Sequence, residues 1–380
     1  MLTKHIFDRA ELDERIERSY DRLLGDYYQM PAVFQEYCAD WPGDKEGRAL
    51  LAFVSHYKMT GKRNPCMEAL MEALPKYTNE HFYFDPKQDP VIHEQQLSGH
   101  SWYLRGLCEH YEQFGDEFSL TALKSVTEHL FLPTAGRYRT YPVRRDPKHL
   151  NEGGVSGHSA TLLEGWQLST DVGCAFMAID GLSHVYKITK DERVKDLLDE
   201  MIEVYSAIDK VTLRAQTHCT LTAARGMLRM YSETLDESYL TRAKAIYDLY
   251  TVGGGMDLTY QNLNWWGRPN TWTEPCAIVD SIKAESNTLI VGSNSELYKS
   301  TLYIDHCTIV NTEELLNADD ITVKIRGIGR NPEAYVRVSP HLTGYKVFVD
   351  GGAWAPAKGQ PLVFYRNNLV IGGGIVVGFE

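Results

Sequence analysis

The residues best suited to chemistry cluster in one segment, Asn264–Cys276, which reads NWWGRPNTWTEPC. It combines three tryptophans with Arg268 and Glu274; the tryptophans are Trp265, Trp266 and Trp272. Flat aromatic rings suit the faces of sugars, and a carboxyl group can transfer the proton that glycoside cleavage requires. The pattern therefore indicates a carbohydrate site. The alternative is a loop whose tryptophans pack into the core and whose Glu274 caps a helix.

Glycoside cleavage needs a second carboxylate besides the general acid. We predict that Glu274 works with Asp171 or Asp257. A second long insertion carries RYRTYPVRR, and an arginine there would bind the carboxylate of a uronic acid through two parallel hydrogen bonds. The predicted substrate-binding residues are His100, His218, Trp166, Trp265, Trp266, Arg268, Trp272, Arg137 and Arg139.

A weak internal repeat predicts the elements that hold these residues. Five segments pair a helix rich in small and apolar residues with a more charged helix; they begin at Glu46, Gly99, Gly173, Thr217 and Glu274. A helix that is apolar nearly all round suits an inner position, and one with a charged face suits an outer position. With a helix pair at the N-terminus this makes six hairpins. We predict an all-α fold, an (α/α)6 toroid over residues 1–315, with an open α-solenoid as the alternative.

The inner helices of such a ring all run in the same direction, so their N-termini meet at one rim. We predict that inner helices begin near Glu46, Gly99, Asp171, Thr217 and Glu274. Helix N-termini carry partial positive charge, which favours an anionic group of the substrate. The rim residues include Trp41, Asp44, His93, Glu94, His100, Trp166, Gln167, Asp171, Gln216, His218 and Cys276.

Residues 316–380 have a different residue pattern, in which short β-type runs are separated by Gly, Pro and Asn. We predict a small β-rich region there. Its last strand would be an edge able to pair between chains, which predicts a homo-oligomer through this region.

Composition excludes several classes of function. The formal charge of −12 disfavours nucleic acid and anionic membranes as partners. No apolar run is long enough to span a membrane, and the N-terminal residues lack a secretory signal. The seven cysteines are scattered without CxxC spacing, which predicts reduced thiols and the cytoplasm. No nucleotide-binding motif is present, and we expect no cofactor and no metal.

Three segments resemble glycoside hydrolase family 127, the bacterial β-L-arabinofuranosidases: LSGHSWYLRGLCEHYEQFGD, WPGDKEGRALLAF and TEPCAIVDS. The resemblance implies an (α/α)6 barrel that hydrolyses a terminal sugar. In that family a Glu-x-Cys, matched here by Glu274 and Cys276, binds zinc together with a later adjacent cysteine pair, one of which is the nucleophile. This sequence has no adjacent cysteines, so a carboxylate mechanism replaces that chemistry, and Cys276 is interpreted as a small buried residue.

The sequence thus predicts an exo-acting glycoside hydrolase that releases a terminal sugar, preferably a uronic acid as in β-glucuronidases, from an oligosaccharide or glycoside. One alternative is a β-L-arabinofuranosidase-like hydrolase of a neutral pentose. Another is a sugar epimerase or isomerase on the same barrel, with His100 and His218 as acid and base. A third is a non-catalytic carbohydrate-binding protein.

Overall fold

The computed structural model describes residues 9–34, 41–85, 90–143, 159–252, 255, 262–267, 273, 276–277, 298–325, 334–354, 356, 359–367 and 369–380. The chain divides into two compact units. The helical unit comprises Glu14–Asp257 and Gln261–Leu289, and the other unit is formed mainly by Ile290–Glu380. Within the described residues, no helix combines the length and the apolar character that crossing a membrane requires.

The helical unit is built from antiparallel helix pairs. Its helices are α1 (Arg9–Leu23), α2 (Asp44–Thr60), α3 (Pro65–Tyr77), α4 (Glu94–Phe114), α5 (Glu117–Val126), α6 (Ala178–Thr189), α7 (Glu192–Ala207), α8 (Lys210–Leu213), α9 (Thr217–Thr234) and α10 (Glu237–Val252). Short 3-10 turns lie at Asp26–Tyr28, Ala32–Phe34, Leu132–Thr134, Tyr138–Thr140 and Cys174–Met177, and a π-helical turn at Thr127–Phe131. A small sheet joins β1 (Ile92–His93), β2 (Ser159–Leu163) and β3 (Trp166–Ser169) in the order β1-β3-β2.

Four inner helices contact one another in the order α2, α4, α6, α9, and each is followed by an outer helix, α3, α5, α7 or α10. The predicted fold of inner and outer helical hairpins is confirmed. The inner helices begin close to the predicted positions, at Asp44, Glu94, Ala178 (after a 3-10 turn from Cys174) and Thr217. The fifth predicted start, Glu274, lies outside the described residues.

Glycines let the inner helices approach backbone to backbone. A Cβ at Gly47 of α2 would lie 2.2 Å from the backbone nitrogen of Tyr103 in α4, and one at Gly106 would lie 2.8 Å from the carbonyl oxygen of Gly47. Gly181 of α6 and Gly226 of α9 make equally close approaches. The small residues that identified these helices as inner ones are therefore required by the packing.

The C-terminal unit is a closed antiparallel barrel with the strand order β4-β7-β6-β5-β8-β9. Its elements are β4 (Tyr298–Ile309), α11 (Thr312–Asn317), β5 (Thr322–Ile325), β6 (Ala334–His341), β7 (Gly344–Trp354), β8 (Pro361–Arg366) and β9 (Leu369–Phe379). Alternate residues of the strands point inward and form a separate core that includes Val347, Leu362, Phe364 and Val376.

Two details of the C-terminal region differ from the sequence-based expectation. Strand β4 belongs to the barrel although it begins at Tyr298, upstream of the predicted boundary at residue 316. The last strand is not an edge, because β9 pairs with β8 on one side and with β4 on the other. Because the barrel is closed, β9 has no free edge for pairing with a second chain, and the predicted homo-oligomer loses the feature on which it was based.

Candidate active site

A cavity of about 170 Å³ lies where the N-terminal ends of the inner helices meet. Predicted rim residues from four separate parts of the chain line it together. The complete lining is Trp41, Asp44, Arg48, Ser98, Asp171, Met177, Gln216, His218, Cys219 and Cys276. Two larger cavities, of about 710 and 540 Å³, lie against the outer helix α7 and contain no residue of this set.

Arg48 is the central group of this cavity. Its Nε donates to both carboxylate oxygens of Asp44, one helical turn earlier, at 3.0 and 2.9 Å. Its Nη2 lies 3.3 Å from Nε2 of His218, and its Nη1 lies 4.0 Å from Sγ of Cys276. One guanidinium group thus connects a carboxylate, an imidazole and a thiol from three separate parts of the chain.

The indole of Trp102 lies beside these groups. The Arg48 guanidinium is 4.1 Å from its ring centroid, and the His218 ring stacks on it at 5.9 Å with an interplanar angle of 16°. The Arg225 guanidinium also lies over the indole, at 5.2 Å. Trp102 is buried, and its Nε1 makes no hydrogen bond within the described part of the chain. The stacked indole therefore holds the His218 ring in its orientation.

Deeper in the helical layer, Asp180 of α6 anchors three arginines. It accepts hydrogen bonds from Arg105 at 2.8 Å, from Arg225 at 2.6 Å and from Arg229 at 2.9 Å. Burial alone would raise the pKa of the Asp180 carboxyl, but the three guanidinium groups outweigh burial and hold this pKa well below its usual range. Because the Arg225 guanidinium lies over the Trp102 indole, Asp180 also helps to hold this indole in place.

The contacts of His218 show which of its ring nitrogens faces Arg48. An arginine N–H can only donate, so the Nε2 that faces Arg48 has a lone pair and accepts. The other ring nitrogen, Nδ1, lies 3.4 Å from Thr222 Oγ1. His218 therefore presents Nε2 to Arg48 at the edge of the cavity.

His100, the other histidine of the predicted site, has a structural position. It is fully buried; its Nε2 accepts from the backbone N–H of Phe84 at 2.9 Å, and its Nδ1 donates to the carbonyl oxygen of Gln96 at 2.7 Å. Burial lowers the pKa of His100 to about 4, despite the opposing effect of the Gln96 hydrogen bond. Both ring nitrogens hold the backbone, so the structure gives no support to its predicted contact with substrate.

The tryptophans that suggested sugar stacking are core residues where the structure describes them. Trp166 packs edge-on against Tyr138 and Tyr141, and Trp266 donates from Nε1 to Thr220 Oγ1 at 3.1 Å. Trp166, Trp265 and Trp266 are all at most 2% exposed. The burial of Trp265 and Trp266 favours the alternative interpretation, in which the loop tryptophans pack into the core, and Trp166 is buried in β3.

The predicted arginines and carboxylates have separate outcomes. Arg137 and Arg139 do not line the cavity; Arg139 is exposed and pairs with Glu203 at 3.4 Å. Asp171 is buried and lines the cavity. The remaining predicted site residues, Glu274, Asp257, Arg268 and Trp272, lie outside the described residues.

Sequence reasoning missed Arg48, Trp102 and Arg225. Only the spacing of Asp44 and Arg48, one turn apart at the start of an inner helix, pointed to a pair facing the rim. Within the part of the chain that the structure describes, no group of three or more His, Cys, Asp or Glu side chains is arranged to hold a metal ion.

Comparison with known proteins gives different matches for the two units. Residues 299–376 match the family model of the aminomethyltransferase beta-barrel domain. The tRNA-specific 2-thiouridylase of Clostridium perfringens is 32% identical over 99 residues, 26% of this chain and 27% of that protein. The enzyme of the same name from Natranaerobius thermophilus is 35% identical over 108 residues, 27% of each chain. The chain thus matches about a quarter of the length of these curated relatives.

Solved structures are similar over a larger part of the chain. Cellobiose 2-epimerase from Bacillus thermoamylovorans aligns with a TM-score of 0.42 at 14% identity, covering 64% of this chain and 71% of that one. A D-mannose isomerase aligns with a TM-score of 0.43 at 11% identity, covering 65% of this chain and 72% of that one.

Proposed function

We propose that the helical unit is a sugar isomerase or epimerase that acts on a small, neutral, free sugar, with His218 as the base. The observation that carries this proposal is the contact between Arg48 and His218 Nε2 at the edge of the cavity. We therefore prefer the epimerase alternative over hydrolysis. Of the two histidines predicted as acid and base, His218 keeps a catalytic role in this proposal and His100 does not.

The cavity suits a single small ligand. At about 170 Å³ it is smaller than the sites that bury drug-sized ligands, so it favours one sugar unit over an oligosaccharide. Its charged lining comprises Asp44, Asp171 and one arginine, Arg48, which favours hydroxyl groups over a carboxylate. This balance argues for a neutral sugar instead of the uronic acid expected from the sequence.

The chemistry follows from the two groups in contact. When the carbonyl oxygen of an open-chain sugar takes over the hydrogen bond from Arg48, the lone pair of His218 Nε2 becomes available to remove a proton from the carbon beside the carbonyl group. The electrons move to the carbonyl oxygen, and the Arg48 guanidinium stabilises the resulting enediolate charge. If the proton returns to the neighbouring carbon while the hydroxyl proton of the first carbon moves to the charged oxygen, the sugar is isomerised. If the enediolate turns over and is reprotonated on the opposite face of the same carbon, the sugar is epimerised.

Hydrolysis has less support among the described residues. It needs one carboxyl group that holds a proton and a second carboxylate. Asp44 accepts two hydrogen bonds from Arg48, so among the described lining residues Asp171 is the one other carboxyl group for this chemistry. The hydrolase hypothesis, to which the resemblance to glycoside hydrolase family 127 contributed, depends on Glu274 and stays a prediction.

The test combines two assays on the purified protein. Free aldoses and ketoses are incubated in deuterated water, and ¹H NMR follows exchange at the carbon beside the carbonyl; aryl glycosides are tested for release of the aryl alcohol. We expect exchange without release, and we expect His218→Gln to lower kcat by at least about 100-fold. His129→Gln, a histidine outside the cavity, is the control. Release from glycosides without exchange would refute the proposal.

We propose a second function for the barrel, binding of RNA. Strands β4, β7 and β6 present basic and aromatic side chains on one outer face: Tyr303 faces Lys346 across β4 and β7, and Arg337 faces Phe348 across β6 and β7. Lys346 lies 5.7 Å from the Tyr303 ring and Arg337 lies 4.8 Å from the Phe348 ring. Basic groups interleaved with aromatic rings suit phosphates and unstacked bases.

The overall acidity of the chain does not oppose this second function. Residues 298–380 contain as many Lys and Arg as Asp and Glu, so the acidic excess lies in the rest of the chain. The relatives that share the barrel sequence are named as acting on tRNA. Filter binding of the whole protein to unmodified tRNA measures this affinity. Arg337→Ala and Lys346→Ala should each lower the affinity and make it less dependent on salt concentration, whereas Lys244→Ala on α10 should change neither. Equal binding by all variants would contradict it.

A further inference from the structure

Asp171 lies at the wall of the cavity, and the backbone on both sides of it is bonded to one buried side chain, Glu94. Oε2 of Glu94 accepts from the backbone N–H of Ser169 at 2.8 Å, and Ser169 Oγ accepts from the backbone N–H of Asp171 at 3.0 Å. Oε1 of Glu94 accepts from the hydroxyl group of Tyr141 at 2.5 Å, and Tyr141 Oη accepts from the backbone N–H of Gly173 at 3.1 Å. We call Glu94, Tyr141, Ser169 and Gly173 the Glu94 network.

The Glu94 network is rigid. Glu94 is 0% exposed, and a buried carboxyl group is costly unless hydrogen bonds satisfy it, so these bonds are retained. The Tyr141 ring packs edge-on against Trp166 at 5.2 Å and against Phe176 at 5.0 Å, which fixes the position of its hydroxyl group. The network holds the short connection between β3 and the 3-10 turn before α6. It therefore sets where the Asp171 side chain enters the cavity.

The proposed isomerisation moves two protons. His218 moves the carbon-bound proton, but the hydroxyl proton of the same carbon must also reach the former carbonyl oxygen. Both carboxylate oxygens of Asp44 accept hydrogen bonds from Arg48, so Asp171 is the other carboxyl group among the described lining residues. Asp171 and His218 line the same cavity of about 170 Å³, and one sugar unit in that space can contact both.

We propose that Asp171 carries this hydroxyl proton and that Glu94 is the positioning residue of Asp171, roles that rest on the proposed function of the helical unit. The Asp171 carboxylate takes the hydroxyl proton, and the electrons of the broken O–H bond form the new carbonyl bond. The electrons of the carbon–carbon double bond take the proton from His218 at the neighbouring carbon. Asp171 then gives its proton to the charged oxygen, so a hydroxyl group forms there and the carboxylate is restored.

The experiment compares two rates in one reaction. D-Glucose, D-galactose, D-xylose and L-arabinose are incubated with the protein in deuterated water, and ¹H NMR follows both deuterium exchange at the carbon beside the carbonyl and the appearance of ketose. Exchange needs the transfer of the carbon-bound proton alone, whereas ketose formation also needs the hydroxyl-proton transfer. We expect Asp171→Asn to retain exchange within about threefold and to lower ketose formation by at least about 100-fold.

The positioning role is tested in the same assay. Glu94→Gln keeps the size of the side chain but turns a donor towards one of the two groups that donate to Glu94, so one bond of the network is lost. We expect it to lower ketose formation relative to exchange by about tenfold, and Tyr141→Phe to act in the same direction. Tyr138→Phe is the matched control, since Tyr138 packs against the same Trp166 and Phe176 rings but donates no hydrogen bond to Glu94.

Backbone hydrogen exchange measures the network without any sugar. Mass spectrometry should show exchange in residues 169–173 at least about tenfold faster in Glu94→Gln and Tyr141→Phe than in wild type, and unchanged in Tyr138→Phe. If Glu94→Gln does not fold, as judged by circular dichroism, Tyr141→Phe decides the positioning role. Unchanged backbone exchange in the folded variants would refute that role.

The two proposals fail in different ways. If wild type exchanges deuterium into none of the sugars, the proposed function is wrong and the proton-carrying role of Asp171 falls with it. If wild type exchanges deuterium but Asp171→Asn lowers exchange and ketose formation by the same factor, Asp171 does not carry the hydroxyl proton, while the proposed function of the helical unit stands.

Discussion

Arg48 Nη2 lies 3.3 Å from His218 Nε2, although 170 positions separate the two residues. The contact joins α2 to α9, the first and last of the four inner helices that follow one another in space. A flat row of helices would hold these two far apart. The helical layer therefore curves enough to bring the two N-terminal ends together, and that curvature creates the cavity.

The Asp44–Arg48 pair should hold the guanidinium in place for His218. Asp44→Asn removes the charge that fixes Arg48 but keeps the side-chain size. We expect kcat/KM for sugar conversion to fall by about 10- to 100-fold, equivalent to about 1.4–3 kcal/mol. Steady-state kinetics would measure the change, with the exposed Asp196→Asn as control. Unchanged kinetics in Asp44→Asn would show that Arg48 is positioned without it.

Glu46 should make stability depend on pH. Burial, followed by repulsion from Asp44, raises the pKa of this carboxyl from 4.5 to about 7. The folded protein then holds the proton more tightly than the unfolded chain, so this contribution to stability is complete below about pH 4.5 and is lost as the pH rises through 7. Glu46→Gln does not ionise, so relative to wild type it should gain about 2–3 kcal/mol between about pH 4 and pH 8.

Urea unfolding at both pH values measures the Glu46 effect. Glu68→Gln changes an exposed carboxyl group of α3 and should show no such difference between the two pH values. If Glu46→Gln differs from wild type by the same free energy at both pH values, then Glu46 does not titrate in the way its burial implies.

Asp180 should be the costliest single charge to remove. Asp180→Ala leaves Arg105, Arg225 and Arg229 without their shared carboxylate in a buried site. Breaking a buried ion pair in this way should lower the free energy of unfolding by about 3–5 kcal/mol. Glu203→Ala, which breaks the exposed pair with Arg139, should cost at most about 1 kcal/mol. Similar losses in the two variants, measured by urea unfolding, would contradict the assignment of Asp180 as a structural anchor.

Gly47 should tolerate no side chain. In Gly47→Ala the new methyl group would lie 2.2 Å from a backbone atom of α4, so the two inner helices must separate. We expect a loss of at least about 3 kcal/mol, more than the usual range for overpacking, because backbone cannot move aside as a side chain can. Gly61→Ala has open space around it but a φ of +70°, and should lose only about 1–2 kcal/mol. Thermal unfolding distinguishes the two, and equal losses would argue against close helix contact at Gly47.

The inner helices were predictable because their signal is local. Small and apolar residues on all sides identify a buried helix, and the starts of α2 and α9 fall within two residues of the predicted Glu46 and Thr217. The rim could be predicted for the same reason: once inner helices run in the same direction, the residues at their starts must meet. Asp44, Asp171 and His218 do so.

The site chemistry was harder to predict because it depends on contacts between distant parts of the chain. Trp266 resembles an exposed sugar-binding residue in sequence, yet its Nε1 reaches Thr220 in α9 and its ring is buried. His100 was expected at a helix start like His218, but α4 begins at Glu94, so His100 lies in the second turn and faces the Phe84 backbone instead of the cavity. Which side of a helix start faces the rim is set by helix rotation, and a sequence with weak periodicity does not define that rotation.

Barrel closure implies an order of folding. Strand β9 must pair with β4, the first strand of the barrel, although four other strands lie between them in the chain. The inner helices of the helical unit instead pack mainly against the inner helices nearest to them in sequence. Contacts between distant segments form slowly, since the connecting chain must first lose its freedom. During synthesis the hairpins can therefore assemble one after another, whereas the barrel has to wait for its final strand.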